Sequence, residues 1–321
     1  MSTPPSAVSS PKNKHKLLRR GKVKEVYEIS DDVLEFHFSD DISVFDKKIP
    51  NLIPHKGETL ARTSAHWFRA CTKLGVNHHF IDLPEPTRMR VRRVEVVPNL
   101  TNHPKKSVLI PLEVVVRYYI AGTLWDRIRS GKTPPSAVGL PAGTVPKYGD
   151  KLPGPHFEYT TKLEHVDRLL TREEALQVGG ITNQIVSEIE EIVLKVDQAI
   201  AREVEPRGLI HVDGKKEFAF DEHGKVMLVD TFGTADEDRF WESNLAAAGK
   251  YEEFSKEFVR QHYRKTGYYQ KLTEAREKHL EEPPMPPLPP TMVNEVSRLY
   301  TTLYERLTGE PFASHHSGGS A

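Results

Sequence analysis

The segment from Gly208 to Trp241 carries the densest set of side chains able to do chemistry. It reads as two strands around a polar turn, Asp221-Glu222-His223-Gly224, with Phe218, Phe220, Met227 and Val229 as the apolar positions. With Phe220 paired to Lys225, Lys215 lies opposite Asp230 and Glu217 lies diagonally across. Alternation then puts Lys215, Glu217 and Asp230 on one face and the four apolar residues on the other. A one-residue slip would bury the charges and expose the phenylalanines, which favours this register. Two carboxylates and a lysine with Cβ atoms about 5–8 Å apart suit a divalent cation bound to phosphate oxygens. A solvated face with a cross-strand ion pair has the same spacing, and spacing alone does not separate the two.

Other candidates lie earlier. Gly21-Lys22-Val23-Lys24 opens a hairpin that could fold over phosphates, since glycine lets the backbone come close and alternate lysines neutralise charge. One glycine makes this a weak motif, and an ordinary strand start reads the same way. Arg117 sits inside the most hydrophobic strand, Ser107 to Ile120, where an unpaired guanidinium is costly; it must meet a carboxylate or a phosphate. Ala121-Gly122-Thr123 then breaks the strand before a short helix, a junction that suits an anion. Adjacent His78 and His79 point to opposite strand faces and read as structural. The run Arg88, Arg90, Arg92, Arg93 reads as a solvated strand face, and His315-His316 is too short to argue for a metal.

These residues need a scaffold. The 321 residues exceed a single-core domain and point to two lobes. With 45 basic and 45 acidic residues, no global charge draws the chain to nucleic acid. The single cysteine, Cys71, excludes an internal disulfide, fits a cytosolic setting, and falls in a helical pattern as a packing residue. No apolar run approaches the roughly 20 residues that span a membrane, and no secretory signal is apparent. Strands are expected over 22–29, 33–38, 76–83, 88–97 and 107–120. Helices are expected over 58–74, 124–129, from a Thr171-x-x-Glu174 capping box, and along Ile185, Ile189, Ile192, Val196 and Ile200. The segment 251–268 is helical, 281–290 (EEPPMPPLPP) reads as a polyproline spacer, and 291–312 reads as a final helix packing on the body. Residues 1–16 and 313–321 are expected to be disordered tails.

Several stretches, in this order, resemble the phosphoribosylaminoimidazole-succinocarboxamide synthase (SAICAR synthetase) family. They are GKVKEVYE at Gly21–Glu28, SVFDKKIP at Ser43–Pro50, KGETLARTSAHWF at Lys56–Phe68 and IPLEVVVRYYIAGTLW at Ile110–Trp125, followed by VDGKKEF at Val212–Phe218 and LVD to DRFW at Leu228–Trp241. The resemblance covers about residues 19–265 and implies an α+β, two-lobed fold. A small antiparallel, kinase-like N-terminal lobe (17–115) covers ATP against a larger ATP-grasp-like lobe (116–280). It implies a cytoplasmic ligase that joins carboxyaminoimidazole ribotide (CAIR) to L-aspartate with ATP and Mg²⁺, releasing ADP and phosphate. The oligomeric state stays open, with no nucleic-acid or membrane partner.

Residue by residue, the resemblance places Lys22, Lys24 and Lys162 at the nucleotide, with Glu217 and Asp230 as the Mg²⁺–ATP ligands. Asp213, Lys215 and Glu217 match the family's DxKxE pattern, and Asp213, Lys215 and Arg117 are the implied catalytic set. Asp46, Arg117, Thr123, Arg239, Lys256 and Arg260 are implied at the substrate. The chain departs from the family pattern at Ala219 (glycine), Thr231 (glutamate) and Ser255 (aspartate). It also reads Ala235-Asp236-Glu237-Asp238-Arg239 for Pro-Asp-Ser-Ser-Arg, and inserts Val166 between His165 and Asp167. The extra negative charge at Glu237 and Asp238 opposes an anionic substrate unless those side chains point away. A ligase for a different acid or amine, a kinase-like phosphotransferase and a nucleotide-binding regulator without turnover are the competing readings.

Overall fold

The structure, a computed structural model, describes residues 15–97, 106–164, 168–251, 254 and 256–313, the side chain of residue 257 apart. The expectations for residues 1–14, for His165 to Asp167, for Ser255 and for the end from residue 314 lie outside the described residues.

The first lobe contains β1 (Lys16–Arg20), β2 (Lys24–Glu28), β3 (Val33–Phe38), β4 (Asp41–Val44), β5 (Lys47–Leu52), α1 (Lys56–Lys73), β6 (Phe80–Glu85) and β7 (Arg88–Arg92). Five of its strands form an antiparallel sheet in the order β1-β2-β3-β7-β6, and β4 pairs with β5. Leu34, Phe36 and Phe38 alternate on β3 and enter the core, as their period of two requires. Helix α1 buries Leu60, Trp67, Phe68 and Cys71. Burial pushes the Cys71 thiol up to about 12, so it packs as an apolar group.

The second lobe is built on β8 (Val108–Tyr119), α2 (Gly122–Arg129), β9 (Lys151–Thr161), β10 (Leu169–Leu170), α3 (Arg172–Gly179), α4 (Asn183–Val204), β11 (Leu209–Phe220), β12 (Val226–Val229) and β13 (Asp238–Glu242). Its sheet runs β10-β9-β8-β11-β12, with β13 on β11. The lobe boundary expected at residue 115 falls inside β8, every residue of which belongs to this second sheet. Ile189, Val193, Val196 and Ile200 of α4 are buried against β11. One apolar core runs from the first sheet through α1 and α4 into the second. The chain closes with α5 (Ser243–Ala247), α6 (Lys256–Lys265), α7 (Tyr268–Glu277) and α8 (Pro290–Thr308), the last packed on α1 and α4. The described fold is α+β with two lobes.

Two further expectations are corrected. In the 208–241 hairpin, Phe220 pairs with Val226 and Glu217 with Val229, one residue from the register expected. Phe218, Phe220, Val226 and Leu228 enter the main core, whereas Ala219, Met227 and Val229 pack with Leu109 on the other face. Both faces of β12 are buried, so polar alternation never marked a solvent side and the slip argument had nothing to act on. Asp230 still reaches the charged face because the strand ends at Val229 and Asp230 turns at φ 61°. The segment 281–289 is also no free spacer. Met285 and Leu288 are buried, Tyr263 donates to the Pro286 carbonyl at 2.7 Å, and Asn51 accepts the Leu288 N–H at 2.7 Å.

Candidate active site at the junction of two cavities

Two cavities adjoin along one face of β11, the face that carries Asp213, Lys215 and Glu217. The first, about 350 Å³, lies between the lobes, with Val26, Leu34, Phe36 and Val91 on one side and Leu109 and Val229 on the other. Its charged lining is Lys22, Lys24, Lys162, Glu217 and Asp230, with Arg19 and Arg92. Lys24 pairs with Asp230, and Lys162 pairs with Glu217 and stands 4.0 Å from Asp230. Burial lowers the Lys24 ammonium to about 8, against the attraction of Glu217 and Glu237. Burial alone would raise Glu217, but the ammonium groups of Lys215 and Lys162 outweigh it and hold the carboxyl well below its usual range. Glu217 is therefore a fixed carboxylate. Lys22 pairs with Asp46 at 2.7 Å across the mouth of the hairpin.

The second cavity, about 480 Å³, is lined on its polar side by Arg117, Thr123, Asp213, Lys215, Glu237 and Arg239, with Asp46, Arg260 and Arg264 at other positions. Arg117 donates to Glu158 at 2.9 Å, to Asp213 at 3.1 Å and to Thr123 at 3.0 Å. The partner that the sequence demanded for this buried guanidinium, a carboxylate or a phosphate, is thus a pair of carboxylates. Arg239 also donates to Asp213. Gly122 has φ +51°, and a Cβ there would stand 2.6 Å from the Arg239 guanidinium, so glycine lets that side chain lie against α2. Burial raises the Glu158 carboxyl, but His156, Arg117 and Arg127 overcome this and hold it at about 2.

The cavities meet at Lys215, whose Nζ is 2.6 Å from Glu217, 2.9 Å from Glu113 and 3.4 Å from Glu237. Burial pulls the Lys215 ammonium down, but these carboxylates more than offset that and raise it well above its ordinary value. Beside Glu237, the buried Asp236 receives Lys56 of α1 at 2.8 Å, Lys256 of α6 at 3.0 Å and the Tyr300 hydroxyl of α8 at 2.6 Å. Lys256, expected at the substrate, is placed against Asp236 and does not line the cavity. Of the two extra acids, Asp238 does point away, into the far side of the sheet, whereas Glu237 faces the cavity.

Ten of the sequence-derived site residues thus gather around the two cavities in three groups of contacts: Lys22 with Asp46; Lys24, Asp230, Lys162, Glu217 and Lys215 in a chain; and Arg117, Asp213 and Arg239 as one cluster. Thr123 joins the last cluster through Arg117, and Arg260 lines the cavity wall. Sequence reasoning missed Glu113, Glu158, Lys56 and the anchoring of Asp236. Glu113 had a visible signal, a charge in the middle of an apolar strand two β-periods before Arg117. Lys56 and Asp236 lie 180 residues apart and had none.

A family model described as SAICAR synthetase matches residues 17–275. The chain belongs to the SAICAR synthetase family. A phosphoribosylaminoimidazole-succinocarboxamide synthase of Thermoplasma acidophilum is 50% identical over 295 residues, covering 92% of this chain and 99% of that protein. Among solved structures, a SAICAR synthetase in complex with ADP covers 92% of this chain and 99% of its own, with TM-score 0.65 and 27% identity. A SAICAR synthase from Saccharomyces cerevisiae complexed with SAICAR covers 96% of this chain and 99% of its own, with TM-score 0.71 and 25% identity. Asp213, Lys215 and Glu217, the residues of the DxKxE pattern, line the two cavities, and of the departures from the family pattern implied by the resemblance, those at Thr231, Ala235, Glu237 and Asp238 fall in the segment 231–238. Among the described residues no helix is long and apolar enough to cross a membrane.

Proposed function

We propose that this chain joins CAIR to L-aspartate at the expense of ATP, with the nucleotide in the 350 Å³ cavity and the two acids in the 480 Å³ cavity. The observation that carries the reading is the 2.6 Å contact of Lys215 with Glu217, because the first lines the acid-binding cavity and the second the nucleotide cavity. A phosphoryl group and an acceptor carboxylate brought in from the two sides meet there.

The apolar walls from Val26, Leu34, Phe36 and Val91 suit an adenine ring. Lys22, Lys24 and Lys162 suit the phosphates. Glu217 and Asp230 offer hard carboxylate oxygens beside these lysines, the donor type that Mg²⁺ takes with ATP. When bound, Mg²⁺ would neutralise charge on the β- and γ-phosphates. Arg117 and Arg239, both tied to Asp213, would bind the ribotide's anionic groups in fixed orientation, and Thr123 supplies a hydroxyl.

The reaction then needs no covalent protein nucleophile. The CAIR carboxylate oxygen attacks the γ-phosphorus, the bond to ADP breaks, and an acyl phosphate forms. The unprotonated amine of aspartate attacks the acyl carbon, the bond from that carbon to the bridging oxygen breaks, phosphate leaves carrying that oxygen, and the nitrogen gives up a proton to the departing phosphate. Lys215 neutralises charge between the two anions, and the preorganised arginines cost no reorganisation at the moment of reaction. The test is a coupled ADP-release assay with the ribotide and a series of amines. ADP release requiring both ribotide and aspartate is expected. Release with a different amine only, or with a hydroxyl acceptor and no amine, would overturn the reading.

A further inference from the structure

Lys216 stands between Lys215 and Glu217 but turns to the opposite face of β11. There it forms a charged cluster that the reaction does not use. Its Nζ lies 2.5 Å from Asp197 of α4 and 3.6 Å from Asp238, and all three side chains are at most 1% exposed. His211 Nε2 is 2.8 Å from the same Asp238 oxygen, and the Tyr118 hydroxyl donates to Asp197 at 2.9 Å. The other oxygen of Asp238 accepts the Gly233 N–H at 2.8 Å.

Asp197, His211 and Asp238 offer ligand atoms within 4.8 Å of one another, as a metal site would. The Lys216 ammonium already supplies the cation, so the cluster reads as an ion network. Such a network is weak evidence for stability, because replacing buried ions by apolar groups of the same volume is often neutral or stabilising. What distinguishes it here is where it places its members. Asp238 is pressed over Gly214, where a Cβ would come within 2.2 Å of the carboxylate, although the Gly214 backbone itself is not in the left-handed region. Gly214 and Lys216 fill the two unspecified positions of the DxKxE pattern, so the strand that carries the active lysine also carries the seat for Asp238.

The consequence falls on the loop between β12 and β13. Asp236 is anchored in front by Lys56, Lys256 and Tyr300. Asp238 is anchored behind by Lys216, His211 and the Gly233 amide. Glu237 is held between the two and faces Lys215 at 3.4 Å, and Arg239 follows directly to reach Asp213. We infer that Lys216, Asp197 and His211 form a positioning network that seats Asp238, and through it sets Glu237 and Arg239 in the substrate cavity from the back of the sheet. The inference takes its substrate from the proposed function, but its geometry stands without it.

The test combines hydrogen exchange of the 231–239 amides with kinetics and ADP titration on the full chain. Asp238→Ser alone leaves Lys216 its closer partner, Asp197 at 2.5 Å, but strips one negative charge from the buried cluster and can fail to fold. The deciding variant is therefore Lys216→Met/Asp238→Ser, which removes one charge of each sign and leaves Asp197 with the Tyr118 hydroxyl and with His211 nearby. We expect it to fold, to lose exchange protection at Gly233 and its neighbours, and to raise the ribotide KM roughly 10- to 100-fold while ADP affinity is unchanged. Asp238→Asn, which keeps an oxygen for the Gly233 amide, should recover the protection and most of the KM. Wild-type protection and KM in the folded double variant would overturn the inference, as would an equal loss of ADP affinity. If the wild-type chain does not turn over ribotide with aspartate, the proposed function fails, and the exchange data alone decide the network.

Discussion

At the scale of single residues, charge arrangement decides which groups can act. Asp230 stands at the end of β12 with Lys24 and Lys162 around it, and no other carboxylate can replace it from Thr231. Asp230→Asn is expected to lower turnover roughly 100-fold, about 2.7 kcal/mol of activation free energy, at limiting Mg²⁺. Wild-type rates under those conditions would remove Asp230 from the metal site. Glu158 gives a pH prediction. Its carboxyl falls from 4.5 to about 2 on folding, so its contribution is present above pH 4.5 and is lost as pH falls through about 2. The shift corresponds to about 3 kcal/mol. Glu158→Gln should therefore flatten the acid limb of a stability–pH curve between these values, measured by urea unfolding; an unchanged slope would mean that Arg117 and Arg127 do not hold the carboxylate.

At the scale of elements, local signals worked where neighbouring residues supplied both partners. The Thr171 capping box is formed as its spacing predicted, with the Glu174 N–H donating to the Thr171 hydroxyl at 3.1 Å and the Thr171 N–H to the Glu174 carboxylate at 2.8 Å. Thr171→Ala should cost about 1 kcal/mol by thermal unfolding, without change in KM. The hairpin failed on register for the opposite reason, because both its faces are buried and its partners come from α4 and β8. Gly214 is an element-scale constraint of the same distant origin. Gly214→Ala should destabilise by about 1–3 kcal/mol, since the new methyl meets the Asp238 carboxylate while the backbone accepts it. A neutral Tm would mean that Asp238 moves aside freely.

At the scale of the whole molecule, the site depends on both lobes and on the C-terminal helix. Lys24 comes from the first sheet, Glu217 from the second, and Asp236 is tied to α1, α6 and α8 at once. A nucleotide that bridges the lobes should stabilise the fold as a unit. ADP at 100 times its dissociation constant is expected to add about 2.7 kcal/mol in a thermal-shift measurement. No shift with ADP and Mg²⁺ would argue that the 350 Å³ cavity does not take the nucleotide.

The chain by itself determined the features that follow from short-range periodicity and ordered motifs. These were the antiparallel β3 face, α1 and α4, the need of a buried Arg117 for a carboxylate or a phosphate, and the family to which Gly21–Glu28 and Val212–Phe218 belong. Only the tertiary structure decided which carboxylates answer Arg117, what Lys216 meets behind β11, and that Asp238 turns from the 480 Å³ cavity while Glu237 lines it. Those choices rest on contacts such as Lys56 with Asp236, made across 180 residues. Burial on both sides of a strand erases the polar alternation from which a sequence reader infers a face. What a buried charge will meet is then set by packing, and packing is complete only when every element is in place.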